Sequence, residues 1–146
     1  MLAQGIRLAV QFGWRPLEEM TLMAELLEHE VYEHGSLSWG EGSLRFTLRN
    51  PPLRMGAFSE LRLWVDGTVF PPGDVEVAVE GAVPRTVAGV GPASPLVLPT
   101  GRRTRFAVRC SRPVNGPHRV RLELQSVAIP PTVWFEFTDH LREASA

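Results

Sequence analysis

The side chains able to do chemistry are few and scattered. Cys110 is the single cysteine, and the histidines are His29, His34, His118 and His140. A zincin helix needs two histidines at i and i+4 with a glutamate beside the first. In His29-Glu30-Val31-Tyr32-Glu33-His34 the histidines are five apart, which turns them to different helix faces. The reversed order, His-x-x-Glu-His, fails as well, because Glu30 stands where its first histidine belongs. His118 precedes a strand pattern and His140 lies near the tail. A lone histidine in such a place reads as a surface or packing residue rather than a base. Cys110 falls on the inward parity of its segment and reads as a small core residue. Arg102, Arg103, Arg105, Arg109, Arg112, Arg119 and Arg121 make the densest basic zone. If the two strand patterns in this zone pair as a hairpin, Arg105 and Arg109 share a face with Arg119 and Arg121. That face would suit an anionic ligand or a carboxylate-rich partner. The plainer expectation is a solvated outer face that also carries Glu123 and Glu136. Gly89-Val90-Gly91 lacks the strand and helix of a dinucleotide fingerprint. No catalytic or metal-ligating residue is therefore assigned to this chain.

The elements that must position these groups are legible as alternation. Ser43-Leu44-Arg45-Phe46-Thr47-Leu48-Arg49 alternates polar and apolar residues, so Leu44, Phe46 and Leu48 face one way and the rest the other. Leu61-Arg62-Leu63-Trp64-Val65 alternates again and runs into Asp66-Gly67, a type I′ hairpin signal because both central residues need positive φ. Further alternations cover Val75-Glu76-Val77-Ala78-Val79, residues 104–110 with Phe106 and Val108 inward, and residues 118–127 with Val120, Leu122 and Leu124 inward. Trp134, Phe135 and Phe137 mark a last strand. Residues 81–98, broken by Pro84, Gly89, Gly91, Pro92 and Pro95, are either a long functional loop or two very short strands. Strands at this spacing with turn signals between them predict an all-β, antiparallel β-sandwich of about seven to nine strands.

The N-terminal segment has a different period. Met1 to Val10 reads as a short strand or an irregular arm. Pro16 is suited to a first helical position, and Leu17, Met20, Met23, Ala24, Leu27 and Val31 recur at spacings of three and four. The reading is an amphipathic helix over residues 16–30, either a lid on the sandwich or a docking element for another chain. The expected organisation is an arm and helix over 1–35, a sandwich over 36–140 and a loose tail over 141–146.

Composition narrows the setting. A chain of 146 residues at 44% hydrophobic content can bury a core as one domain. The net charge of −1, with no aromatic interleaving of the basic residues, argues against nucleic acid as a partner. No stretch approaches the roughly 18 apolar residues of a membrane span, and the first ten residues lack the features of a signal peptide. One cysteine excludes an internal disulfide and favours the cytoplasm. All 15 basic residues are arginine, which points to a high-GC bacterial genome.

Taken in order, the turns and strands resemble one family. Gly42-Ser43-Leu44-Arg45 leads into Leu48-Arg49-Asn50-Pro51, then Leu53-Arg54-Met55-Gly56. Glu60-Leu61-Arg62-Leu63-Trp64-Val65-Asp66-Gly67 follows, with Pro71 and Pro72 after it. The second half has an arginine-bearing strand at Arg105 to Arg109 and then Asn115-Gly116-Pro117-His118-Arg119-Val120-Arg121-Leu122. This order is similar to that of the β subunit of bacterial C-glycoside deglycosidases. Each motif is weak, and the order carries the resemblance over about two thirds of the chain. Where the family pattern has aromatic residues before the arginine, this chain has Pro51-Pro52-Leu53.

The resemblance implies a non-catalytic subunit bound to a TIM-barrel α subunit that holds the acid/base residues and a divalent metal, manganese or similar. Such a complex is a carbon–carbon lyase acting on 3-oxo-C-glycosides, for example of flavonoids. The 3-keto group acidifies the C2 proton, so a general base and a metal-stabilised enolate permit expulsion of the aglycone carbon. No cofactor is expected in this chain itself. Arg49, Arg54, Met55 and Phe58 are the expected partner-facing patch, apolar residues beside arginines as at an interface core and rim. The rival expectation is a stand-alone carbohydrate- or protein-binding sandwich.

Overall fold

Alternation of apolar and polar residues folds here as pleated strands whose apolar sides meet between two sheets. The computed structural model describes residues 7–11, 32–49, 57–99, 101–126 and 132–143. Twelve strands lie among them: β1 (Arg7–Gln11), β2 (Ser38–Gly40), β3 (Ser43–Arg49), β4 (Ala57–Val65), β5 (Thr68–Val69), β6 (Val75–Val79), β7 (Arg85–Thr86), β8 (Leu96–Val97), β9 (Arg103–Arg109), β10 (Pro117–Ser126), β11 (Thr132–His140) and β12 (Arg142–Glu143). Seven of these run five residues or more, which meets the expected strand number. The first sheet has the order β1-β11-β10-β4-β5, with β8 also pairing β4. The second has the order β12-β2-β3-β9-β6-β7. All pairings are antiparallel except β12 on β2. The fold is an all-β sandwich, as the sequence predicts. The expected helix over residues 16–30 lies outside the described residues.

The inward parity is the one the sequence dictates. Leu44, Phe46 and Leu48 are buried from β3, Leu61, Leu63 and Val65 from β4, and Val120, Leu122 and Leu124 from β10. Phe46 stacks on its cross-strand partner Phe106 at 5.0 Å between ring centroids. It also meets Phe137 of the opposite sheet edge-on at 5.3 Å. These rings tie the layers together, and burying one such side chain stabilises the fold by about 2–3 kcal/mol. Asp66 and Gly67 have φ of 50° and 83°, so the β4–β5 connection is the turn that its Asp-Gly pair specifies.

Three expectations are corrected by long-range pairing. First, β9 and β10 do not form a hairpin: β9 pairs β3 and β6, whereas β10 pairs β4 and β11. The chain crosses between layers at residues 110–116, so Arg105 and Arg109 belong to one sheet and Arg119 and Arg121 to the other. Second, the tail is not loose as far as Glu143, since β12 adds to β2 and the Arg142 amide donates to the Leu37 carbonyl at 3.0 Å. Of the two forms expected for the arm, the strand is present, because β1 pairs β11 from Arg7↔Glu136 to Gln11↔Thr132. Third, Phe58 does not face outward as a patch residue must. It lies in β4 and is fully buried.

Residues 81–98 form the two very short strands, β7 and β8, rather than an open loop. Arg85 holds them. Its guanidinium donates to the carbonyls of Pro95 at 3.0 Å, Gly89 at 3.0 Å and Ser94 at 2.7 Å, and to the Ser94 hydroxyl at 2.8 Å. One planar group with five donors thus replaces the sheet ladder that the prolines and glycines prevent.

Candidate ligand-binding face

The outer side of the first sheet carries the richest mixture of groups. Arg121 of β10 is the cross-strand partner of Trp64 on β4 and of Glu136 on β11. The pleat sends all three outward, because Leu63, Val65, Val120, Leu122, Phe135 and Phe137 take the inward positions. The Arg121 guanidinium carbon lies 5.9 Å from the Trp64 ring centroid, at the outer limit of a cation–π contact. Its nitrogens reach Glu123 at 3.1 Å and Glu136 at 4.0 Å. Trp64, Arg121 and Glu136 thus make a row across three strands.

Trp64 is also the wall shared by two open hollows. One is polar, about 450 Å³, and is lined by Asp66, Gly67, Arg119, Arg121, Glu123 and Glu136 beside Trp64. The other is mainly apolar, about 740 Å³, and is lined by Val69, Phe70, Pro71, Pro72, Val87 and Val90, with Glu60 and Arg62 at its margin. The hairpin builds the second hollow. The Asp66-Gly67 turn folds β5 back along β4, and the Phe70 amide donates to the Leu63 carbonyl at 3.0 Å. Pro71 and Pro72 then enter a short 3-10 turn over Pro72–Asp74. Proline's fixed φ suits that first position.

The rim of the polar hollow is held by an ion pair. His118 is 5% exposed, and its Nδ1 donates to Asp66 Oδ2 at 2.6 Å while Nε2 donates to the Val114 carbonyl at 2.6 Å. Both partners are acceptors, so both ring nitrogens carry protons and the ring is an imidazolium. Burial opposes this charge, yet the two hydrogen bonds and the Asp66 charge hold the His118 pKa above its ordinary value. Burial would likewise raise the Asp66 carboxyl, but the His118 bond and the Arg119 amide hold it below the usual carboxylate range. With both nitrogens and both carboxylate oxygens engaged, the pair acts as a staple. The His118 ring has no lone pair left to serve as a general base.

Asp139 forms a second node, directly across the β10–β11 ladder from His118. Its carboxylate accepts from the Tyr32 hydroxyl at 2.6 Å, the Gly35 amide at 2.8 Å, the His140 amide at 2.8 Å and Arg142 at 3.1 Å. Burial pushes the carboxyl up, but these four donors outweigh it and keep the pKa lowered. Burial and the neighbouring carboxylate push the Tyr32 phenol well above its ordinary value, so it stays a neutral donor. Its ring stacks on Phe137 at 3.6 Å. Burial also raises the Cys110 thiol, which packs half-buried against the core as a small residue. His34 and His140 are exposed. Among the described residues, no group of three or more His, Cys, Asp or Glu side chains is placed to hold a metal ion.

The expected partner patch divides. Arg49 lies exposed at the end of β3, opposite Arg103 in register. Arg54 and Met55 lie outside the described residues. Phe58 is withdrawn from the patch by its complete burial, since a side chain without exposed surface presents nothing to a partner. Trp64 is not among the residues expected at a site. Its signal was present: a tryptophan on the outward parity of a strand whose neighbours Leu63 and Val65 point inward. Arg121, Glu123 and Glu136 were legible as an outer face, but their convergence on Trp64 depends on the pairing of three strands. No known protein-family model matches the chain, and no curated protein matches its sequence. No helix among the described residues is long and apolar enough to cross a membrane.

Proposed function

We propose that this chain is the non-catalytic β subunit of a cytoplasmic bacterial C-glycoside deglycosidase, bound to a TIM-barrel α subunit. The barrel would supply the general base and the divalent metal for elimination from a 3-oxo-C-glycoside, and this chain would supply a rigid scaffold. One observation carries the reading. The stretches Glu60 to Gly67 and Asn115 to Leu122, which bear the resemblance, are far apart in sequence but adjacent in space. They pair as β4 and β10 from Val120↔Val65 to Leu122↔Leu63, and the Asp66–His118 pair joins them. Motifs that look weak one by one therefore belong to a single structural unit. Placing the metal in the partner suits this chain's own carboxylates, because Glu123 and Glu136 both face the Arg121 guanidinium.

A second reading, a stand-alone carbohydrate-binding sandwich, is favoured by the Trp64 face. Co-expression with a TIM-barrel α subunit of such an enzyme separates the two. The subunit reading expects a complex that survives gel filtration and cleaves a 3-oxo-C-glucoside, with cleavage lost when this chain is omitted. A monomeric chain that ignores the barrel, or a barrel equally active without it, overturns that reading.

A further inference from the structure

We propose that the outer face of the β3–β9 pair is a docking surface for an extended, carboxylate-rich polypeptide segment with an acidic residue at alternate positions. Leu44, Phe46 and Leu48 of β3 and Thr104, Phe106 and Val108 of β9 point into the core. The pleat therefore sends Arg45 and Arg49 outward beside Arg103, Arg105 and Arg109. Register sets them in four successive rows: Arg49 with Arg103, Thr47 with Arg105, Arg45 with Ala107, and Ser43 with Arg109. Every row holds a guanidinium, and rows on one face of a sheet are about 7 Å apart. Like charges directly opposite one another in a ladder are destabilising. Arg49 and Arg103 are such a pair. Glu33 meets Arg103 at 3.4 Å and Glu41 meets Arg45 at 2.9 Å. Arg49, Arg105 and Arg109 are exposed and form no ion pair with a described residue. An arrangement that costs the free chain stability and leaves three guanidiniums open is explained by a counter-charge that arrives from outside.

The occupant follows from the spacing. Alternate residues of an extended strand also lie about 7 Å apart on one side, so an acid at every second position sets one carboxylate over each row. A guanidinium can hold a carboxylate through two parallel N–H donors. A free phosphate or a single carboxylate spans one row and forfeits the others. A nucleic-acid strand is a poorer match for three reasons. Asp74 and Glu76 wall the polar hollow of about 170 Å³ at the Arg45 and Arg109 end. Glu80 accepts from the Arg103 amide beside the first row. No outward residue of β3 or β9 is aromatic, so a base finds nothing to stack on. The surface goes beyond the subunit reading and does not depend on which protein brings the segment.

The test is titration of the full chain with a labelled octapeptide that alternates glutamate and threonine, read by fluorescence anisotropy. Its isomer with all the glutamates in one block and an oligothymidylate of matched charge are titrated beside it. The alternating peptide should bind saturably, at least about threefold more tightly than the block isomer, and more weakly as salt is added. Arg105→Gln and Arg49→Thr should each weaken it by about threefold or more. Arg49→Thr should do so with the melting temperature kept or raised, because it removes a like-charge pair. Arg112→Gln, which removes a positive charge at the crossover between the layers, should bind as the parent chain does. No saturable binding, equal binding of the block isomer, or full binding by Arg105→Gln would each overturn the surface. So would a lower melting temperature in Arg49→Thr or an equal weakening by Arg112→Gln. Oligothymidylate bound as tightly as the alternating peptide would overturn it in favour of a nucleic-acid face.

Discussion

Acceptors at 2.6 Å on each ring nitrogen leave His118 no neutral tautomer that satisfies both. That has a pH consequence with a definite sign. The folded pKa of His118 is raised above the ordinary 6.5, so its contribution to stability is complete below that value. It is lost as pH rises through the folded pKa. The Asp66 arm has the opposite sense, because its pKa is lowered from 3.8 and its contribution fades as acid carries the pH down through the folded value. The melting temperature should therefore fall as the pH is raised above about 6.5 and through the folded pKa of His118. His118→Gln should flatten that slope, since glutamine can donate to one acceptor but carries no titrating charge; thermal melts of both proteins across the pH series check it. A slope unchanged in His118→Gln would place the effect elsewhere. None of this was visible at His118 itself, whose partner is 52 residues away.

Between elements, Asp139 is the group that ties the segment before β2 to the end of β11. A carboxylate has only acceptors, and four donors surround this one. Asp139→Asn puts an amide N–H₂ against donors and should cost about 2–3 kcal/mol, the penalty for unmet buried groups. Tyr32→Phe should cost about 1 kcal/mol, because three donors remain on the carboxylate. Urea denaturation of the two single variants and the double variant measures both values and their coupling. Equal losses for the two single changes would show that the tyrosine contact alone matters. The strand ends bound here illustrate a limit of periodicity. A short parallel pair such as β12 on β2 makes too brief an alternation to stand out, and its Arg142 reaches the Asp139 node only in the folded chain.

For the molecule as a whole, stability rests on aromatic contact between the layers. Phe46 touches Phe106 in its own sheet and Phe137 in the other. Phe46→Ala should destabilise the chain by about 3–5 kcal/mol through lost transfer energy and a residual cavity. Chemical denaturation should show this as a lower midpoint with an unchanged slope. A loss under about 1 kcal/mol would mean that the layers close over the gap.

Local residue patterns specify the strand class, the inward residues of β3, β4 and β10, and the Asp66-Gly67 turn. Each of these follows from local sterics or from a period of two that needs no distant partner. Which sheet each strand joined was decided only by tertiary structure, because strands of both layers carry the same alternation and either would accept a given neighbour. For the same reason only the folded chain could separate Arg105 and Arg109 from Arg119 and Arg121, bury Phe58, and set Trp64, Arg121 and Glu136 in one row.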